Sequence, residues 1–409
     1  MPGLFVDKKN SWIGLLVIYT LGGFIETIFF GQLTAFTPLY LPKLGIAQAD
    51  VAQWTGIVAA VTGLLGLPFL PFWGALADRY SRKPIIIRSF AVEILAGIIS
   101  LLAGNIWIFM VGRTLTCLAL GNSGLMMTTL SERVPSNRQG LAFSVMNSAS
   151  PVGVFLGPLA GGPIVDHWGF PTLLAIDSVL LTFVVLVMIF GYRDSFQGNA
   201  DRPLLKMAGD SIRIVLESSR LRILFVALFV LFAGWMLALT YAALAIGQLY
   251  QGSDQATIVG IILGAGGILA MILGPAIGAL ADRYGYWKML LVGSIISVLL
   301  WPIPALVKTI VAFGVAWSLI NGLTSGVFAL SFSVLSRSAP ENIRGRVMSF
   351  AYLPVNIGLF LGPAIGSIVT QRSVFAIFPA AAVLTALGII LLVLARNRTV
   401  SDVDGLRTM

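Results

Sequence analysis

Gly74-Ala75-Leu76-Ala77-Asp78-Arg79-Tyr80 recurs letter for letter as Gly278-Ala279-Leu280-Ala281-Asp282-Arg283-Tyr284, 204 residues further along a chain of 409. Working outward, Gly153-x3-Gly157-Pro158-x2-Gly161 returns as Gly358-x3-Gly362-Pro363-x2-Gly366 at an offset of 205. Pro135, Asn137 and Gly140 return as Pro340, Asn342 and Gly345 at the same offset. A seven-letter identity at half the chain length points to two similar halves laid down in the same orientation.

Composition says what solvent those halves meet. Hydrophobic residues make up 57% and charged residues 11%, with a mean hydropathy of +0.94. Soluble domains carry about 25% charged residues, so an ordinary cytosolic enzyme, a nucleic-acid binder and a disordered chain are all excluded. The net charge of +9 does not reinstate nucleic acid, because the basic residues punctuate long apolar runs instead of clustering on one face. The single cysteine, Cys117, and single histidine, His167, leave no disulfide, no metal site and no Ser-His-Asp triad to build. No cofactor is expected.

Apolar runs long enough to cross about 30 Å of hydrocarbon number twelve: 12–36, 53–77, 84–105, 106–130, 141–165, 170–192, 222–249, 257–281, 286–307, 309–335, 347–369 and 373–395. With the N-terminus inside, 22 of the 26 Lys and Arg residues fall on cytoplasmic segments. That asymmetry places both termini in the cytoplasm. The expected fold is an all-α membrane protein of twelve spans. Residues 1–192 form one six-helix half, 193–221 a polar cytoplasmic linker and 222–409 the second half. Parallel halves of this kind are the architecture of alternating-access transporters. Compact loops suggest a bacterial inner membrane, and the hydrophobic surface makes membrane lipid an obligatory partner.

The segment Gly74-Ala-Leu-Ala-Asp78-Arg79-Tyr-Ser-Arg82-Lys83 resembles the signature between the second and third spans of the major facilitator superfamily. Gly153, Gly157-Pro158 and Gly161-Gly162 on the fifth span resemble the antiporter motif of its twelve-span drug:proton exporters. The first resemblance implies a conformational gate carried by Gly74, Asp78, Arg79, Arg82 and Lys83. Its second copy keeps Asp282 and Arg283 but has Tyr286 and Trp287 in place of Arg82 and Lys83. The second resemblance implies proton antiport and, as in most such proteins, a monomer. Physically, glycines spaced by four form a stripe along which another helix can approach closely.

Charges inside the membrane are expensive and become functional candidates by default. Four occur, all in the first half: Glu26, Glu93, Arg113 and Asp177. At 1.5 Å per residue, Glu26 sits roughly 21 Å from the inner start of its span and Arg113 about 10 Å from the outer start of its own. In a core about 30 Å thick those depths nearly coincide, so the two can meet. Burial favours the protonated acid and a nearby guanidinium the carboxylate, so an acid alternating between the two can load and release a proton. Glu26, Arg113 and Asp177 are therefore the candidates for proton coupling. Glu93, with Arg88 on the same span, reads as structural.

Cavity candidates are Tyr19, Phe30, Gln32 and Asn122 in the first half and Trp235, Tyr241, Trp317 and Asn321 in the second. Aromatics and amides without charge suit a lipophilic, neutral or weakly cationic small molecule held by stacking and cation–π contacts. The expected function is proton-coupled export of small amphipathic compounds, with protons as co-substrate. An importer or facilitator of a nutrient, or an exporter of a specific metabolite or lipid, is the alternative. A membrane-embedded enzyme would need a convergent nucleophile, base or metal-ligand set, which the chain lacks.

Overall fold

A computed structural model describes residues 12–66, 81–119, 122–135, 138–191, 218–340, 347–348 and 351–398. Gly74, Asp78 and Arg79 of the gating motif, and almost all of the linker, lie outside the described residues. The first half contributes α1 (Trp12–Tyr40), α2 (Val51–Gly66), α3 (Arg82–Leu101), α4 (Ile106–Leu115), α5 (Asn122–Arg133), α6 (Gln139–Trp168) and α7 (Phe170–Gly191). The second half contributes α8 (Ser219–Leu249), α9 (Gln255–Tyr284), α10 (Tyr286–Leu300) and α11 (Ile303–Leu306). It is completed by α12 (Ile310–Ser338), α13 (Tyr352–Val369) and α14 (Ile377–Asn397). No strand occurs among the described residues.

Length and surface identify the solvent. The 29 residues of α1 extend about 43 Å at 1.5 Å per residue, more than the hydrocarbon core requires. Nine spans among the described residues are long and apolar enough to cross a membrane. Val179, Phe190, Leu299 and Val311 leave about 70% of their surface uncovered, which water would penalise and lipid does not. The chain is an integral membrane protein.

The expected fourth span, 106–130, lies within one membrane-length stretch, Ile106–Arg133, whose described residues change from α-helix to a 3-10 turn. α4 ends at Leu115, a 3-10 turn covers Thr116–Ala119, and α5 restarts at Asn122. The Thr116 hydroxyl donates back to the Arg113 carbonyl at 2.7 Å, a local bond that competes with the helix ladder. Gly121-Asn122-Ser123-Gly124 follows, four residues of low helix propensity. The guanidinium of Arg88 on α3 donates to the Leu118 carbonyl of the 3-10 turn at 3.0 Å.

The helices pack as two compact units. One comprises residues 1–46, 65–202 and 253–261; the other comprises 47–64, 203–252 and 262–409. In the first, α1 lies along α6, and α3 packs against α7 and α4. In the second, α8 lies along α13 and α14, and α10 packs between α12 and α14. A core of Leu221, Leu224, Leu228, Leu290, Leu330, Val334 and Ala395 fills one end of that unit.

Candidate functional site

The glycine stripes set the spacing of the helix pairs that carry the site. A Cβ on Gly153 would lie 2.1 Å from the Thr27 hydroxyl and 2.6 Å from the Phe24 carbonyl. On Gly157 it would lie 2.7 Å from the Ile28 carbonyl. No side chain fits between α6 and α1, so glycine is what permits the approach. Gly161 faces Gln32, whose Nε2 donates to the Gly157 carbonyl at 3.0 Å. The second half repeats the device. Gly358 and Gly362 of α13 press on the backbone of α8 at Phe229 and Ala233, and Gly366 meets the Tyr241 ring. The Tyr241 hydroxyl donates to the Pro363 carbonyl at 2.9 Å, the counterpart of Gln32 on the other stripe.

Beyond its stripe, α6 makes a contact with the start of α9 inside the same compact unit. Gly162 abuts Ala256 and Thr257, where a Cβ would come within 2.6 Å of the Ala256 carbonyl. One turn on, Asp166 Oδ1 accepts from the Ala256 N–H at 2.9 Å. Its Oδ2 accepts from the Thr257 N–H at 2.7 Å and from the Thr257 hydroxyl at 2.6 Å. These N–H groups belong to the first turn of α9, which has no intrahelical acceptor for them, and a carboxylate there also meets the positive end of the helix dipole. Sequence reasoning missed Asp166 because the capping partner lies 91 residues away. Its neighbour His167 is in the last turn of α6, exposed, with Nδ1 at 2.9 Å from the Pro163 carbonyl.

The buried charges gather around the 3-10 turn between α4 and α5. Glu26, half-buried on α1, accepts from Asn122 Nδ2 at 3.5 Å. Asn122 is 2% exposed, and its own Oδ1 has no hydrogen-bond partner. Arg113 in the last turn of α4 is buried, with Nε unpartnered. Among the described residues no ion pair joins it to Glu26: the acid meets the amide, not the guanidinium. Glu93 on α3 and Asp177 on α7 are buried, each with one carboxylate oxygen lacking a partner.

The described part of the repeated motif, Arg82 and Lys83, makes two recorded bonds to α5 and α7. Arg82 Nη1 meets Glu132 Oε2 at 2.7 Å, tying the start of α3 to the end of α5. Lys83 Nζ donates to the Ile189 carbonyl at 2.9 Å, near the C-terminal end of α7, where a cation is favoured. The second copy keeps the geometry with other chemistry. Tyr286, at the position of Arg82, donates its hydroxyl to Asp282, and the Arg337 guanidinium lies 3.9 Å from its ring centroid. Arg220 similarly covers Trp287, at the position of Lys83, at 5.5 Å. Arg283 stacks on its neighbour Tyr284 at 5.4 Å.

Of the cavity candidates, Tyr19, Tyr241 and Trp317 are fully buried, while Phe30 and Trp235 keep part of their surface open. Trp235 Nε1 donates to Asn321 Oδ1 at 3.1 Å. Its ring adjoins Phe232 and Phe328, with centroids 5.4 and 6.5 Å away. Trp317 instead stacks on Phe313 at 6.4 Å with a 6° interplanar angle. Phe328 belongs to the open aromatic group; Phe313 and Trp317 form a closed one with Phe378.

Repeated helical halves, glycine-spaced helix pairs and buried charges beside a 3-10 turn define a membrane transporter. The chain belongs to the Major Facilitator Superfamily, whose profile matches residues 15–310 and 224–407. It is 30% identical to multidrug resistance protein MdtG of Klebsiella pneumoniae (strain 342) over 374 residues, covering 90% of this chain and 89% of the relative. MdtG of Escherichia coli (strain SMS-3-5 / SECEC) is likewise 30% identical over 373 residues, with 90% of each chain covered. Among solved structures, the nucleoside transporter NupG superposes with a TM-score of 0.76 at 14% identity, over 94% of this chain and 100% of that one. The D-xylose-proton symporter does so with a TM-score of 0.76 at 14% identity, over 95% and 98%. Membership makes the protein a transporter of small molecules, and the structural likenesses establish its fold.

Proposed function

We propose that this protein is a proton-coupled exporter of small lipophilic or amphipathic compounds, working by alternating access as a monomer in a bacterial inner membrane. Twelve spans with both termini in the cytoplasm, two halves at 1–192 and 222–409 and a linker at 193–221 complete the reading. The observation that carries it is Glu26: a carboxylate inside the membrane domain whose hydrogen bond comes from a neutral amide at 3.5 Å. Such an acid is not neutralised by a permanent ion pair and can exchange its proton as its surroundings change. The relatives named as multidrug resistance proteins, matched over nine-tenths of the chain, support the direction and the substrate class. Trp235, Phe232 and Phe328 offer the aromatic surface that a lipophilic cation would contact.

The test is ethidium movement in proteoliposomes under an imposed pH gradient, comparing wild type with Glu26→Gln. Gradient-driven movement in the wild type, lost in the variant, is the expected result. Movement that ignores the gradient and survives the substitution would refute proton coupling through Glu26.

A further inference from the structure

α1 and α3 touch at two levels, and an acid sits between those levels on each helix. At the first level, a Cβ on Gly22 would lie 3.2 Å from Phe90 Cζ. At the second, a Cβ on Gly97 would lie 3.7 Å from Phe29 Cζ. Glu26 lies four residues beyond Gly22 and three before Phe29; Glu93 lies three beyond Phe90 and four before Gly97. The two contacts, flanked at each level by Met188 and Ser178 of α7, thus bring both carboxyls to one depth on the sides of α1 and α3 that meet.

Among the described residues no ion pair to either acid is recorded. Arg88, one turn below Glu93, directs its Nη2 to the Ser89 hydroxyl and the Leu118 carbonyl at 2.9 and 3.0 Å. Arg113 on α4 forms no ion pair with either acid, and Asp177 on α7 is itself a carboxyl that cannot neutralise them. On α5, Glu132 is taken by Arg82, and on α6 Asp166 is taken by α9. What does face the pair is Asn122, donating to Glu26 from a side chain that is 98% buried, with Oδ1 left without a donor. Glu93 is 94% buried, with Oε2 also unpartnered.

Two carboxylates at close quarters in a low-dielectric interior cannot both stay ionised, and the stable arrangement is one proton held by the pair. Asn122 favours Glu26 as the ionised member, because its amide donates to that carboxylate. A proton on Glu93 turns an unpartnered acceptor into a donor. We propose that Glu26 and Glu93 form a single proton-binding site, with Asn122 as its positioning residue, and that Glu93 is a second acid of the coupling step. The proposal rests on the proton-coupled reading of Glu26, and it adds a residue that the sequence alone assigns to structure.

Two measurements test it. The first is an infrared pH titration of the purified protein in detergent, following the protonated-carboxyl band, which needs no substrate. In the wild type the pair loses one proton's worth of band in a single transition; Glu93→Gln and Glu26→Gln each displace that transition, and Asn122→Ala broadens or shifts it. An identical titration in wild type and Glu93→Gln would overturn the pair. The second uses ethidium in proteoliposomes. Glu93→Gln is expected to keep ethidium counterflow within about twofold while losing gradient-driven movement at least tenfold, and Glu93→Asp restores the latter. Loss of counterflow and gradient-driven movement together, not restored by Asp, means a structural residue and overturns the proposal. If wild type moves no ethidium under a gradient while the titration still shows the shared proton, the export reading fails and the proton site stands.

Discussion

Removing the Asp166 carboxylate releases a contact whose strength follows from its geometry. Asp166→Ala abolishes three hydrogen bonds of 2.9, 2.7 and 2.6 Å, two of them from first-turn N–H groups of α9. Loss of a helix cap costs about 0.5–2 kcal/mol, and bonds to a charged acceptor sit at the upper end of the usual range. Water can reach the half-buried Asp166 and recovers part of the loss, so we take about 2 kcal/mol for the whole contact. Asp166, Ala256 and Thr257 belong to one compact unit, and opening of this contact means that the first turn of α9 leaves α6. A bias of about 2 kcal/mol then corresponds to roughly a 30-fold change in the open population. Ala256, 2% exposed behind Gly162, reports it. In a Cys117→Ser background, maleimide should label Ala256→Cys about 30-fold faster when Asp166→Ala is added. Asp166→Asn, which keeps one acceptor and loses the charge, should fall between. Equal labelling rates with and without the carboxylate would refute the reasoning, because the seam would then open without regard to its cap.

The glycine stripe yields a paired prediction. Gly157→Ala places a Cβ 2.7 Å from the Ile28 carbonyl, whereas Gly23→Ala on the partner helix meets nothing within 4 Å. Overpacking of the first kind costs about 1–3 kcal/mol, so the melting temperature in detergent should fall for Gly157→Ala and hold or rise for Gly23→Ala. The two copies of the gating motif should respond differently to salt. The Arg82–Glu132 pair, with Glu132 47% exposed, should show a double-mutant coupling of up to about 1 kcal/mol that shrinks in high salt. Tyr286→Phe should leave the Arg337 contact intact and Tyr286→Leu should loosen it, as read by thiol accessibility at the end of α12, with less dependence on salt.

The seven-letter repeat displayed the halves without any structure, because the repeat unit and the helix period are properties of local sequence. The apolar runs displayed the spans for the same reason: hydropathy acts residue by residue, and the bilayer supplies one fixed length. The buried charges Glu26, Glu93, Arg113 and Asp177 were legible too, since a charge in a hydrophobic run stands out against its neighbours.

Partnership was not legible. Depth along the membrane allowed Glu26 to meet Arg113, yet depth is one coordinate of three, and the rotation of α1 turns the acid to Asn122. The stripe Gly153, Gly157, Gly161 announced a close neighbour without naming it; the structure shows α1 for one copy and α8 for the other. The sequence shows Tyr286 in the place of Arg82 without its partner, and in the structure Arg337 comes from α12 to meet the ring. The 3-10 turn after Leu115 is met by Arg88, which donates to the Leu118 carbonyl, a bond between residues on different elements. Sequence by itself determined the membrane setting, the internal repeat and the identity of the costly residues, because hydrophobicity and periodicity are written along the chain. Only the tertiary structure decided which of those residues meet, because contacts across helices depend on rotation and crossing angle, and these are set by close packing of side chains from distant parts of the sequence.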